Sequence, residues 1–136
     1  MAGYSATPLA KKLGIKAGHQ VALVLAPSDF GKTLGELPDD VRVQEGLAGK
    51  APLDVIVAFF TKRAELERQL ASLRRRMAPA CGLWIAWPKK ASGVATDMTE
   101  NVVREVALPT GLVDNKVCAI DETWSGLRLV IRRELR

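Results

Sequence analysis

Two lysines, a serine and a glycine lie in a short loop that directly follows an apolar, aromatic segment. The segment runs from Leu83 to Trp87, and Pro88 then removes the amide donor that a strand would need to continue. Ligands of open α/β sheets bind at the carboxyl ends of the strands, where ammonium and hydroxyl groups can hold an anion. Thr61 and Lys62 follow another apolar segment, at a predicted helix N-terminus that also favours negative charge. The predicted ligand-binding residues are therefore Thr61, Lys62, Lys89, Lys90, Ser92 and Gly93.

The loop after the first apolar segment offers a second candidate site. Gln20 to Ala26 is apolar without alternation, as expected of an internal strand in a parallel sheet, and it leads into Pro27-Ser28-Asp29-Phe30-Gly31. Glu45 lies about 20 residues past this strand, where an acidic side chain can hydrogen-bond a ribose. Ser28, Gly31 and Glu45 are therefore the candidate cofactor-binding residues.

The same loop also fits a relaxed phosphate-loop pattern that ends in Gly31-Lys32-Thr33. Alanine replaces the first glycine of that pattern, at Ala26. Pro38 allows only a short helix after Thr33, whereas a phosphate loop needs a firm helix N-terminus. We therefore interpret the match as coincidental.

Other catalytic arrangements have less support, and no catalytic residue is assigned. His19 is the only histidine, which argues against a histidine metal cluster, so no metal site is predicted. A Ser-His-Asp triad would depend on this one residue, which we interpret as a surface residue at a strand entry. Cys81 and Cys118 form no Cys-x-x-Cys pair, and we interpret them as two buried free thiols in a reducing compartment.

The 136 residues carry a formal net charge of +5, which permits contact with anions. The basic residues are spread along the chain without a visible stacking motif, so we favour a solvated surface over nucleic-acid binding. No apolar run has the length of a membrane span, and the N-terminus shows no apolar segment of signal-peptide type. We expect a soluble, cytoplasmic protein with one domain over residues 1–136.

The helices that position these candidate sites have recognisable signals. Thr7 before Pro8 predicts the start of a short helix that Gly14 closes. Thr61 is the predicted N-cap of a long helix that ends near Met77, and Asp97 is predicted to begin the next helix with Glu100 as its capping-box partner. The apolar stripe of the long helix predicts its core face and consists of Leu66, Leu70, Leu73 and Met77. Three arginines, Arg74, Arg75 and Arg76, fall in its last turn, where we interpret them as favourable partners of the helix dipole.

Apolar runs predict the strands, at residues 20–26, 41–44, 54–60, 82–87, 117–121 and 127–132. Trp124-Ser125-Gly126 is predicted to form the turn between the last two, which must then pair antiparallel. Strands that alternate with helices predict a mostly parallel sheet with helices on both faces. The predicted fold class is thus an α/β, Rossmann-like three-layer sandwich whose sheet ends in an antiparallel β-hairpin.

This order of elements resembles the Rossmann-like fold of S-adenosylmethionine-dependent methyltransferases, whose sheet also ends in a hairpin that inserts its final strand. The resemblance implies a cofactor site at the loop from Ala26 to Gly31. That loop has one glycine where such enzymes have several, and Phe59-Phe60-Thr61-Lys62 stands where many carry an Asn/Asp-Pro-Pro-aromatic signature.

The chain is also similar to an uncharacterised bacterial family of unknown function, through stretches that cover most of its length: residues 3–5, 7–15, 58–61, 113–121 and 124–126, and the signature Trp87-Pro88-Lys89-Lys90-Ala91-Ser92-Gly93. That family implies a fold and no activity. Our first functional prediction is a non-catalytic module that binds an anionic small molecule or a protein partner. The alternatives are a methyltransferase-like enzyme with an altered cofactor site, and a basic loop that is only a solvated turn.

Overall fold

A computed structural model describes residues 8–136, which form a six-stranded sheet with helices on both faces. The strands are β1 (Gln20–Val24), β2 (Arg42–Glu45), β3 (Leu53–Phe59), β4 (Met77–Pro88), β5 (Leu112–Ala119) and β6 (Trp124–Ile131). Their spatial order is β2-β1-β3-β4-β6-β5. The first four are parallel, and β6 pairs antiparallel with both β4 and β5. The predicted fold class is confirmed, including the insertion of the final strand.

In the described part of the chain, four α-helices cover the sheet: α1 (Leu9–Lys12), α2 (Phe30–Leu34), α3 (Arg63–Arg76) and α4 (Glu100–Ala107). One face of the sheet packs against α3 and α4, and the predicted stripe of α3, including Leu66, Leu70 and Leu73, is buried there. The other face packs against α1 and α2. On that second face the Trp84 indole Nε1 donates to the Leu13 carbonyl at 3.0 Å, which fixes the end of α1 over the sheet.

Both predicted helix starts in the centre of the chain are wrong. Lys62, not Thr61, is the N-cap residue of α3, and its side chain makes no capping hydrogen bond. The Asp97 carboxylate instead accepts from the Arg63 amide at 2.7 Å. The capping hydrogen bond of α3 therefore comes from a residue 34 positions later in the sequence. Thr99 is the N-cap of α4, where its hydroxyl accepts from the Val102 amide at 3.1 Å.

The turn between β5 and β6 also differs from the prediction. Trp124, Ser125 and Gly126 belong to β6, where they pair with β4. The turn lies just before them, and the Asp121 carboxylate accepts from the amides of Thr123 and Trp124, both at 2.8 Å. A side chain that satisfies turn amides in this way allows the strand to begin earlier than glycine spacing indicates.

Arg76 corrects the interpretation of the arginine cluster at the end of α3. Its side chain is 7% exposed and donates to carbonyls of the β2–β3 loop, including Ala51 at 2.9 Å from Nε. It also donates to the Leu47 and Ala48 carbonyls. Arg76 therefore holds a loop, in addition to any favourable interaction with the helix dipole.

Two further sequence predictions concern the thiols and the ends of the chain. Cys81 is buried as predicted, whereas Cys118 is only partly buried, so the prediction of two buried thiols is half right. Thr7, the predicted N-cap of the first helix, lies outside the described residues. Within residues 8–136, no helix has the length and apolar character needed to cross a bilayer.

Candidate functional site

The three candidate cofactor-binding residues line one cavity at the carboxyl ends of β1 and β2. Ser28 and Gly31 approach it from the loop after β1 and from α2, and Glu45 closes it as the last residue of β2. Its volume is about 400 Å³. Most of the remaining lining is apolar, including Leu23, Leu34, Leu37 and Val43. The fold therefore brings together the three residues that the sequence analysis named as candidate cofactor-binding residues.

The backbone that enters this cavity is strained. Leu25 directly follows β1 with a φ of 56°, and its side chain is 60% exposed. A non-glycine residue in the left-handed region costs about 1 to 2 kcal/mol, and such residues cluster at ligand sites. Next to it, the Gly46 amide donates to the Leu23 carbonyl at 2.8 Å, which holds the ends of β1 and β2 side by side. No sequence pattern predicts this conformation, because leucine is not a turn residue.

α2 is shorter than the helix that should follow a phosphate loop. Gly31, Lys32 and Thr33 lie inside this helix, which is five residues long and begins at Phe30. In a phosphate loop the backbone amides before the helix cradle the ligand. The chain leaves α2 at Gly35, whose φ of 73° ends the helix. The predicted shortness of this helix is confirmed, and the interpretation of the motif as coincidental stays a prediction.

The basic loop after β4 is held by hydrogen bonds to the turn between β5 and β6 and by hydrogen bonds within the loop itself. Lys89 Nζ donates to the Asp121 carbonyl at 2.6 Å, and the Lys89 amide donates to the Thr123 carbonyl at 2.7 Å. The Ser92 hydroxyl donates to the Lys89 carbonyl at 2.6 Å and accepts from the Val94 amide at 3.2 Å. Gly93 adopts a φ of 77°, which closes the turn. Lys89 and Ser92 therefore have structural contacts that spacing alone could not predict.

A second cavity, of about 430 Å³, lies beside this loop at the same edge of the sheet. Of the six predicted ligand-binding residues, Lys89 and Lys90 line it. The other four, Thr61, Lys62, Ser92 and Gly93, are not among its lining residues. Thr61 nevertheless supports the cavity wall, because its carbonyl accepts from the hydroxyl of Thr96 at 2.6 Å, and Thr96 does line the cavity.

Acidic residues near the second cavity are already paired. Glu100 lines the cavity and forms an ion pair with Arg104 at 2.5 Å. Arg104 also pairs with Asp114 at 3.0 Å between Nε and Oδ2. The hydrogen bond to Asp114, followed by that to Glu100, raises the pKa of Arg104. Lys90, by contrast, is exposed and forms no ion pair within residues 8–136.

A row of aromatic rings lies on the sheet face that α1 and α2 cover, beside the first cavity, and the sequence analysis did not identify it. Phe59, the last residue of β3, makes edge contacts with Phe30 at 4.9 Å and with Trp124 at 5.1 Å between ring centroids. Phe30 also lines the first cavity. Trp124 does not line the second cavity, because it and its neighbour Ser125, which does, point to opposite faces of β6. The available signal was the position of each aromatic residue at the end or start of an element facing the same edge of the sheet.

Comparison with known proteins identifies the fold. No family model matches the sequence, and no curated protein matches it by sequence. Among solved structures, an S-adenosylmethionine (SAM)-dependent methyltransferase from Aquifex aeolicus matches with a TM-score of 0.64 at 19% identity, over 90% of this chain and 88% of that one. The DhpI–SAH complex matches with a TM-score of 0.64 at 10% identity, over 93% and 83%. Magnesium protoporphyrin IX methyltransferase from Synechocystis, with bound SAH, matches with a TM-score of 0.55 at 10% identity, over 85% and 75%.

At these identities the likeness establishes the fold. It also corrects our first functional prediction, a non-catalytic binding module. The structures that share this fold are consistently SAM-dependent methyltransferases, which favours the alternative of a methyltransferase-like enzyme.

Proposed function

We propose that this chain is a methyltransferase-like enzyme that binds S-adenosylmethionine in an altered cofactor site, between the loop 26–31 and Glu45. The observation that carries the proposal is the cavity at the carboxyl ends of β1 and β2. In one cavity it combines an apolar wall, an acidic side chain and a glycine that has open space in front of it.

The residues of the cavity fit an adenosyl group. A volume of about 400 Å³ lies within the usual range for small-molecule sites. The apolar side chains Leu37 and Val43 suit an adenine ring, and the Glu45 carboxylate suits the ribose hydroxyls. Within residues 8–136, Glu45 makes no ion pair and its side chain makes no hydrogen bond, so its oxygens are free to accept from a ligand.

Gly31 supplies the close approach that a glycine-rich loop would otherwise provide. A Cβ atom at this position would meet no atom of the described chain within 4 Å. Packing therefore does not require a glycine here, whereas a bound ligand would. The proposed site is altered because it has one glycine, on the first turn of α2, where a glycine-rich cofactor loop has several.

The chemistry needs little from the side chains beyond binding and orientation. S-adenosylmethionine supplies an activated methyl group, and the protein's part is to hold the acceptor in line with it and to exclude water. We assign the acceptor to the second cavity, beside Lys89 and Lys90, because it opens at the same edge of the sheet. Lys90 favours an anionic acceptor. The Trp-Pro-Lys-Lys-Ala-Ser-Gly signature overlaps this cavity, and we retain the resemblance to an uncharacterised bacterial family as a hypothesis.

The test is calorimetric titration with S-adenosylhomocysteine. The wild-type protein is expected to bind it, and Glu45→Gln to bind about tenfold more weakly, because a hydrogen bond to a charged group contributes about 1.5 to 3 kcal/mol. Glu36→Gln is the matched control: it removes the same charge from an exposed residue nearby that does not line the cavity.

Two results would contradict the proposal. One is the absence of any heat of binding with the wild-type protein at millimolar ligand. The other is equal weakening by Glu36→Gln and Glu45→Gln, which would indicate a general charge effect. Lys90→Gln should leave the affinity for S-adenosylhomocysteine unchanged, and a loss there would refute the assignment of its cavity to the acceptor.

A further inference from the structure

A third cavity, of about 420 Å³, lies at the opposite edge of the sheet, where the parallel strands begin. His19 precedes β1 at its rim, and Asp54 and Val55 line it from the start of β3. Five cationic side chains converge on it from α1, the segment after α1, β5 and β6: Lys11, Lys12, Lys16, Lys116 and Arg128. Each cation is ordinary in its own segment, and the fold brings them together.

The cations of this cavity have almost no compensating charge. Among residues 8–136, Asp54 is the only carboxylate that lines the cavity, and its Oδ2 already accepts from the Gln20 amide at 2.8 Å. Within residues 8–136, none of the five cations forms an ion pair with a carboxylate. Residues 1–7 contain no aspartate or glutamate, so they cannot supply one. The protein therefore maintains a concave surface of uncompensated positive charge.

Arg128 is the centre of this arrangement. It lies in β6, opposite Trp84 of β4 and Lys116 of β5, and its side chain is partly buried. Residues 8–136 provide its guanidinium with no hydrogen bond and no ion pair. This burial lowers the pKa of the Arg128 guanidinium. Burying an unpaired cation is costly, which makes an anionic ligand the natural partner.

Gly82 makes the position of Arg128 possible. A Cβ at Gly82 would lie 2.5 Å from Arg128 Nε and 2.9 Å from Nη2. The absence of a side chain at this point of β4 therefore leaves the space in which the guanidinium lies. A glycine in a strand interior often marks such a close approach.

Strand irregularities on two sides also shape the cavity. Asp114 pairs with Leu129 and Lys116 pairs with Arg128, so Asn115 is an extra residue in β5. Such a bulge re-aims side chains, and both Asn115 and Lys116 line the cavity. The pairing of β3 with β4 shifts as well, between Leu53 and Val55, beside Ala80 of the same cavity.

We propose that this basic cavity binds a small oligophosphate, such as pyrophosphate or the phosphate groups of a nucleotide, with Arg128 as its central contact. Guanidinium groups bind phosphate oxygens in pairs, and the surrounding ammonium groups add point charges. A cavity of this volume suits a compact anion better than an extended polymer. The proposal does not depend on the cofactor site, which lies at the other end of the strands.

The experiment is calorimetric titration with inorganic pyrophosphate at low ionic strength. The wild-type protein is expected to bind, and Arg128→Gln to bind about tenfold more weakly through the loss of charge-assisted hydrogen bonds. Gly82→Ala keeps the net charge and is expected to weaken binding by displacing the guanidinium. Lys116→Gln changes an exposed residue at the bulge and provides a third variant if either of the others unfolds.

Arg68→Gln is the matched control, because it removes the same charge from an exposed residue of α3. It should bind pyrophosphate as the wild-type protein does, and Arg128→Gln should still bind S-adenosylhomocysteine normally. The proposal is overturned if pyrophosphate does not bind, or if Arg68→Gln and Arg128→Gln weaken it equally. Tighter binding of a short oligonucleotide than of pyrophosphate would also overturn it, in favour of a nucleic-acid surface.

Discussion

Arg76 is the one charged side chain that is buried among residues 8–136, and its partners are backbone carbonyls. We expect Arg76→Ala to lower the free energy of unfolding by about 2 to 4 kcal/mol, because a hydrogen bond from a charged group contributes about 1.5 to 3 kcal/mol and the Arg76 guanidinium makes more than one. Urea denaturation measures this change. Arg75→Ala removes an exposed arginine from the same turn and should cost less than about 0.5 kcal/mol. Equal costs for the two variants would mean that the helix dipole, rather than the loop contacts, accounts for the effect.

The two cysteines should react very differently. Burial, and then the nearby Asp54 carboxylate, raises the pKa of the Cys81 thiol to about 12. Burial also raises the pKa of Cys118, with Lys12 and Lys116 acting in the opposite direction. Because the thiolate is the reactive form, Cys118 should be alkylated slowly at neutral pH and Cys81 only after unfolding. Mass spectrometry of the labelled peptides gives the order, and early labelling of Cys81 would contradict it.

The raised pKa of the Cys81 thiol also makes the free energy of unfolding depend on pH in the alkaline range. The unfolded thiol ionises near pH 8.5, while the folded thiol keeps its proton to about pH 12. The folded state therefore binds more protons in this window, so the contribution is present below about pH 8.5 and is lost as the pH rises. Unfolding measured at alkaline pH should show a shallower loss of stability in Cys81→Ala than in the wild-type protein. Parallel curves would show that other groups dominate.

At the scale of elements, the start of α3 depends on a residue 34 positions away in the sequence, Asp97. We expect Asp97→Ala to lower the free energy of unfolding by about 1 kcal/mol, the usual contribution of an N-cap. Amide hydrogen exchange should show the loss of protection at the first turn of α3, and not in α4. Asp29→Ala is the control, since Asp29 is the N-cap of α2 without a capping hydrogen bond and should cost little.

Replacing Gly31 of α2 should change the stability of the fold and the affinity for the cofactor in opposite directions. Gly31→Ala should raise the free energy of unfolding by about 0.5 to 1 kcal/mol, because alanine is favoured over glycine inside a helix and the added Cβ meets no atom. If the cofactor approaches this residue as proposed, the same variant should bind S-adenosylhomocysteine more weakly. Thermal unfolding and calorimetry on one sample test both parts. Higher stability with unchanged affinity would exclude Gly31 from the site.

For the whole molecule, the sequence was most informative where a strand is buried on both faces. The apolar runs of β1 and β3 predicted those strands to within two residues, and the stripe of α3 predicted its core face. The sequence was least informative where a side chain of one element binds the backbone of another. Asp97 capping α3 and Arg76 binding the β2–β3 loop depend on tertiary contacts that spacing cannot reveal.

In the candidate sites, too, some features could be predicted from the sequence and others could not. That Ser28, Gly31 and Glu45 lie around one cavity was predictable, because strand ends meet at one edge of a parallel sheet; their role in binding a cofactor stays a prediction. The contacts of Lys89 and Ser92 were not, since Lys89 binds a carbonyl 32 residues away and the bond of Ser92 within its loop leaves no periodic pattern. The basic cavity was also not predictable, because Lys12, Lys116 and Arg128 are ordinary surface cations until the fold brings them together.

The inserted position of β6 has a consequence for synthesis on the ribosome. Among the described strands, β5 pairs with β6 alone, and β6 is also the partner that covers the apolar edge of β4. A nascent chain that has not yet released Trp124–Ile131 therefore leaves β4 open to foreign strands, and β5 has no partner. The last of the described strands to emerge is therefore the one that fills the gap between β4 and β5. Translation that stops before β6 is expected to yield a chain that aggregates readily and is degraded by proteases.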